Sequence, residues 1–319
     1  MKRKIYIYHH NDHDGIVAAA VFYRHIIKTA LATEEQIVFN MIDYDKELNF
    51  DHINFENDDY AIFLDYSFSS KINLDRFEDL LNRCKDKPTG RIIWIDHHVS
   101  SAYICETRFA DYDIPGIRNI ALCGAALTYL WCNAKLDNDY TNDESSIRHL
   151  SSGFHNSGAI PAFLKLIDDY DCWKHIYGVT NDFHYGLLIS DPKDPYIDEL
   201  LDRDVFYDIV NKGKIIQQYL DFENREYHVN MYGFEFTLPE EHGGLKCFCL
   251  NRKGNSIMFG DKIYDYDAVI PFYYINGVWK YSIFTDKDNI DCEKVAKSYG
   301  GGGHTKAAGW QTTDFIFKK

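Results

Sequence analysis

Residues 5–15 read Ile-Tyr-Ile-Tyr-His-His-Asn-Asp-His-Asp-Gly, and the order of these residues decides the fold. Ile5 to Tyr8 is a four-residue apolar run, long enough for a strand, and a helical pattern follows from Gly15 to about Thr29. Imidazoles and carboxylates crowd the turn between them. The arrangement then returns. Ile37 to Ile42 reads as a second strand. Ala61 to Leu64 is a third, closed by Asp65 and followed by a helix near Leu74 to Cys84. Ile92 to Ile95 is a fourth, closed by Asp96, His97 and His98. Short continuous apolar runs separated by helices predict a parallel sheet buried on both faces. Two further helices are expected, over Ala121 to Asn133 and over Pro161 to Asp171, the second with proline in its favoured first turn.

The period changes downstream. Asp191-Pro-Lys-Asp-Pro195 is a turn-rich break, and a polar helical pattern covers about Val205 to Glu226. Strands are then expected at Phe234 to Leu238, Leu245 to Leu250, Ala268 to Ile275 and Val278 to Phe284. Asn276-Gly277 marks a hairpin between the last two. A helix over Cys292 to Tyr299 leads into four glycines. The layout is α/β: a parallel-sheet domain over 1–190, a helical connector over 191–228, and a smaller α+β domain over 229–319.

The 319 residues, 45% of them apolar, supply two cores at roughly 150 residues per domain. The net charge of -15 disfavours a general polyanion binder, because affinity for phosphate backbones comes from lysine and arginine. A phosphate-bearing substrate would need placed cations. The sequence has no apolar run of about 18 residues, so a membrane span is not expected. The eight cysteines form no Cys-x-x-Cys pair and read as reduced core filler, which together point to a cytoplasmic protein.

Three of the four expected strands end in acids or histidines. Ligands of open parallel sheets bind just beyond the carboxyl ends of the strands, so these groups should converge on one crevice. Gathering like charges costs free energy unless cations neutralise them. Carboxylates with imidazoles and no thiolate favour Mn2+ or Mg2+, and their number suits two ions about 3.5–4 Å apart. Plainer readings exist for each piece. Asp12 and Asp14 could cap a helix, and Asp65 could open an Asx turn. The adjacent pair His97 and His98 is harder to explain that way, since neighbours on a strand point to opposite faces.

His10-Asn-Asp-His-Asp-Gly15, Asp65, Asp96-His97-His98 and Gly301-Gly-Gly-His-Thr-Lys-Ala-Ala-Gly309 resemble the motifs of the DHH phosphoesterase superfamily. The last resembles the signature of its DHH-associated C-terminal domain. The resemblance spans nearly the whole chain and implies roles. His10 and Asp12 would hold one metal, and Asp14 and His97 a second. Asp65 would bridge both. Asp96 would orient His97, and His98 would face the scissile phosphate as a catalytic group. A last aspartate comes from the segment 166–173, where Asp169 matches best and Asp168 and Asp171 stay open. Gly301, Gly302, Gly303, His304 and Lys306 would bind a substrate phosphate through main-chain donors and side chains. One departure is Ser282-Ile-Phe-Thr285, where relatives acting on short oligonucleotides often carry an arginine.

The expected activity is metal-dependent hydrolysis of phosphoester bonds in short oligonucleotides or small nucleotides, with two divalent ions, manganese first, activating water. The alternatives are a RecJ-like single-strand exonuclease, a cyclic dinucleotide phosphodiesterase, and a non-catalytic nucleotide sensor on the same fold. Expected partners are a single-stranded or small nucleotide substrate and no membrane; a homodimer is left open.

Overall fold

The computed structural model describes residues 3–317 except 45, 86–89, 134–141, 191–196 and 230–231. The expected Asp191-Pro195 turn lies outside the described residues. Two compact units emerge, Met1–Lys214 and Ile215–Lys319.

The first unit opens with β1 (Ile5–His10), α1 (His13–Lys28), β2 (Ile37–Ile42), β3 (Tyr60–Leu64), α2 (Lys71–Cys84) and β4 (Ile92–Ile95). Helices follow: α3 (Val99–Thr107), α4 (Gly124–Cys132), α5 (Glu144–Asn156), α6 (Ala162–Asp171), α7 (Thr180–Leu188), α8 (Ile197–Leu201) and α9 (Arg203–Val229). The four strands are parallel, in the order β2-β1-β3-β4. Alternate residues serve two cores, which is why the strands read as unbroken apolar runs. Ile7, Ile62, Leu64, Ile93 and Ile95 pack with α1, α4 and α6. Tyr8, Phe63 and Trp94 face the opposite side and meet Phe77 of α2 and Phe109. Each such side chain contributes about 1.5–3 kcal/mol by leaving water.

Register sets up everything that follows. His9 pairs with Leu64, and Leu64 with Ile95, so the next residues on the three strands, His10, Asp65 and Asp96, are lateral neighbours at one edge of the sheet.

The second unit has strands β5 (Phe234–Thr237) and β6 (Lys246–Asn251), a single turn of helix α10 (Lys262–Asp265), and β7 (Ala268–Ile275) and β8 (Val278–Phe284). It closes with α11 (Cys292–Ser298), β9 (Gly302–Gly303) and β10 (Ala307–Thr312). The six-stranded sheet runs β5-β6-β7-β8-β10-β9, antiparallel except between β6 and β7. Asn276 and Gly277 both carry positive φ (51° and 85°), as the hairpin signal requires.

Candidate metal centre

The sheet edge gathers the three acid–imidazole clusters. Asp12 caps α1, its Oδ1 accepting the Gly15 N–H at 2.9 Å, while its Oδ2 lies 2.7 Å from His10 Nδ1. One oxygen therefore caps the helix, as the plainer reading expected, and the other faces His10. Asp14, on the first turn of α1, is buried and accepts the N–H groups of Gly124 and Ala125 at 2.6 and 2.7 Å. Those two donors are the start of α4, where unsatisfied N–H groups and the helix dipole favour an anion. Gly124 permits the approach: a Cβ there would stand 2.6 Å from the Cβ of Asp65.

Asp65 is the centre of the arrangement. It is 1% exposed, and its φ of 53° places it in the left-handed region, a conformation that costs a non-glycine residue about 1–3 kcal/mol. Neither of its carboxylate oxygens has a hydrogen-bond donor among the described residues. The neighbouring Asp12 carboxylate offers only a shared proton. His97 Nε2 lies 3.3 Å from Asp65 Oδ1, 3.3 Å from Asp171 Oδ2 and 3.8 Å from Asp14 Oδ2. His10 Nδ1 lies 3.9 Å from Asp65 Oδ2. Asp171 Oδ2 is likewise buried with no aligned donor.

The charges respond to this crowding. Burial, then repulsion from Asp14 and Asp12, pushes the Asp65 carboxyl far above the usual range, and the same causes act on Asp171. Burial also raises Asp14. Burial opposes ionisation of Asp12, yet the hydrogen bond and charge of His10 prevail and hold it low. His97 is pushed down by burial and by His98. His98 is pushed up, because the charge and hydrogen bond of Asp96 outweigh burial.

Buried oxygens without donors, held against one another and against imidazole, form the donor set a divalent cation completes. Three groups of potential ligand atoms lie within 4.8 Å: His10, Asp12 and Asp65; Asp65, His97 and His98; and His97, Asp171 and Cys172. Asp65 joins two of them.

The structure departs from the sequence reading on α6. Asp169 was the best-matching ligand, but its carboxylate turns away and accepts from the Ile176 and Tyr177 N–H groups at 2.7 and 3.2 Å and from the Thr180 hydroxyl. Asp168 turns to His155 Nε2 at 2.7 Å and Lys174 Nζ at 2.6 Å. Asp171 alone of the three reaches the sheet edge. Successive helix positions differ by about 100° of rotation, so at most one face of the run Asp168-Asp169-Tyr170-Asp171 can meet it. Asp96 also differs: its Oδ1 lies 2.8 Å from Nδ1 of His98 rather than orienting His97, and Ser101 donates to its other oxygen. Sequence reasoning missed Gly124 and Ala125, whose contribution is main chain, and Cys172, which was read as core filler.

The C-terminal glycines are more structural than the sequence suggests. Gly300 (φ 80°) ends α11, and the Gly301 N–H donates to Ala296 O at 2.8 Å. Side chains at Gly301 or Gly303 would strike β10, whereas Gly302 faces open space. The His304 N–H is spent on Ala307 O, and Lys306 pairs with Asp288 at 2.9 Å. The His304 side chain is exposed.

Residues 4–151, a little under half of the chain, match the DHH family, N-terminal domain. The chain is 22% identical over 330 residues to Oligoribonuclease NrnB of Bacillus subtilis (strain 168), covering 98% of this chain and 74% of that protein. Among solved structures, the DHH domain of a member of the s1p family of ribosomal proteins is similar in fold, with a TM-score of 0.55 and 16% identity over 96% of this chain and 82% of that one. RecJ from Thermus thermophilus, solved with Mn2+, has a TM-score of 0.48 and 14% identity over 97% of this chain and 49% of that one.

Proposed function

We propose that the chain is a metal-dependent phosphoester hydrolase acting on short oligonucleotides or small nucleotides. The observation that carries the reading is Asp65, buried and without a donor, between imidazoles and three further carboxylates. The match of residues 4–151 to the DHH family, N-terminal domain, and the likeness of nearly the whole chain to an oligoribonuclease support it.

His10, Asp12 and Asp65 would hold one divalent ion, and Asp14, Asp65, His97 and Asp171 the other, with manganese our first choice. When bound, such ions acidify a water near neutral pH and neutralise charge on phosphoryl oxygens. The chain's own groups do the rest. The α4 N–H pair fixes the Asp14 carboxylate before any ligand arrives, so no reorganisation is needed there. Asp96 fixes His98 through Nδ1 and its charge raises the affinity of the imidazole for a proton, leaving Nε2, 3.3 Å from the Tyr44 hydroxyl, to present that proton to a phosphate or leaving oxygen. Gly302 and His304 are our proposal for substrate contact in the C-terminal unit.

A product-resolved assay tests this: purified protein, Mn2+ or Mg2+, and end-labelled RNA and DNA di- to decamers, nucleoside bisphosphates and cyclic dinucleotides. The expected result is cation-dependent hydrolysis of the short substrates, abolished by Asp65→Asn. Binding without hydrolysis across the panel would leave the sensor reading instead.

A further inference from the structure

Beside the acidic rim, the first unit opens a cavity of about 430 Å³. Asp12, Asp14 and Asp171 contribute acidic groups to its wall. The lining also has apolar side chains, Ile16, Leu166, Phe183 and Leu187, with Leu188 exposed. An aromatic pair joins them. The rings of Tyr170 and His184 lie parallel, 3.5 Å between centroids and 9° apart in plane, and His13 meets His184 edge-on at 5.3 Å. Burial and then the neighbouring His13 push the His184 imidazole down to about 3, so it is neutral at pH 7.

This composition selects among ligands. Among the described lining residues there is no lysine or arginine, so the cavity offers a phosphate group nothing except through cations at its acidic groups. An aliphatic ligand would leave the imidazole edge without a polar partner. A flat heteroaromatic ring satisfies both kinds of lining: its face meets apolar and aromatic side chains, and its edge nitrogens meet neutral imidazole and amide groups. The volume falls at the small end of ligand pockets, room for one nucleoside rather than a stacked series.

We propose that this cavity seats one nucleobase of the substrate, placing the phosphate next to it at the acidic rim. The inference rests on the phosphoesterase reading and adds to it a recognition element within the first unit: one terminal nucleotide is held by its base, so short chains and chain ends are preferred. Leu166, Tyr170, Phe183, His184 and Leu187 are the positions that would set base preference.

Two variants test it by different means, Leu187→Trp filling the cavity and His184→Ala removing the stacked ring. The first readout is binding of 2-aminopurine riboside 5′-monophosphate with Mg2+, followed by fluorescence. Stacking in the wild type should quench the probe, and both variants should weaken its binding at least about tenfold, the scale of one lost base–aromatic stack. The second readout is the ratio of kcat/KM for a dinucleotide to that for analogues abasic at the 5′ or the 3′ position. For one of these positions the wild-type ratio should be at least about ten and should fall toward one in both variants. Mn2+ binding in each variant, measured by calorimetry, verifies that the rim is intact. Unchanged quenching, or equal loss on dinucleotide and abasic analogue, would overturn the assignment. If the wild type hydrolyses neither substrate, the phosphoesterase reading fails, and the fluorescence experiment alone still decides the cavity.

Discussion

Two carboxylates of the first unit, Asp65 and Asp168, are equally withdrawn from water and could hardly be treated more differently. Asp168, at 0% exposure, receives Lys174 at 2.6 Å, His155 at 2.7 Å and the Cys123 N–H at 2.7 Å. Burial opposes its ionisation, but the His155 hydrogen bond and the Lys174 charge win, and its pKa falls. Asp65 has no donor among the described residues and its pKa rises. The fold therefore neutralises one negative charge with its own side chains and leaves the other for something outside the chain. A buried carboxylate supports structure in the first case and carries a latent binding demand in the second.

The sharpest way to break this contrast is to neutralise both. Asp65→Asn should lower hydrolysis at least about a thousandfold, the upper scale for losing one electrostatic group at a reacting centre. In EDTA the same variant should melt at a higher temperature than the wild type, because a repelled charge is gone; a lower melting temperature would refute the picture of an uncompensated carboxylate. Asp168→Asn should do the reverse in EDTA. It strands Lys174 and costs about 3–5 kcal/mol, a fall of about 10 °C in a unit of this size. Replacing both partners, Asp168→Leu with Lys174→Met, should recover much of that loss by calorimetry.

A finer test separates neighbours on α6. Asp171→Asn should weaken Mn2+ binding at least about tenfold while leaving thermal stability in EDTA unchanged or improved, since metal affinity follows the ligand set. Asp169→Ala should leave Mn2+ binding unchanged and cost about 1–3 kcal/mol, because it abandons the Ile176, Tyr177 and Thr180 donors. Isothermal titration and chemical denaturation distinguish the two.

The smallest effect is in pH. Folded Asp65, Asp14 and Asp171, with raised pKa values, bind protons more tightly than the unfolded chain does. So do His10 and His98, whose carboxylate partners outweigh burial and hold them above 6.5. The cation-free protein should therefore lose stability as pH rises from about 6.5 to 8. His97 and His184, both lowered, act in the opposite sense, but mainly below about pH 6.5, where the unfolded chain holds the proton they have released. Saturating Mn2+ should reverse the trend, because the ligands must shed their protons to bind it. Melting curves at three pH values, with and without the ion, read this directly.

Strands β1, β3 and β4 were legible because both of their faces are largely buried, which leaves unbroken apolar runs in the sequence, whereas the edge strand β2 is mostly half-buried. The clustering of His10, Asp65 and Asp96 followed from register, which a parallel sheet fixes once the strands are aligned. The helices α3, α5 and α7 were not anticipated. Between Val99 and Thr107 only Ser101 is buried, so no apolar stripe marks the helix. In α5 the buried Leu150 and Phe154 sit among serines and a glycine. The α6 assignment failed for a related reason: three aspartates within four residues differ only in azimuth, and azimuth is set by how α6 packs against α4 and α7. The packing role of Gly301 and Gly303 was not legible, because consecutive glycines serve close strand packing as readily as anion binding.

Gly124 closes the matter from another direction. Chemically it is silent, yet the only side chain its position admits is a hydrogen atom, since anything larger would displace the carbon skeleton of Asp65 and crowd the Asp14 carboxylate, whose nearer oxygen would lie 3.1 Å from the added carbon. In a saturation library, every allele at that codon should score like the loss of a charged group from the rim. Tolerance to substitution at this position should track the room a reactive group requires as closely as it tracks the group itself.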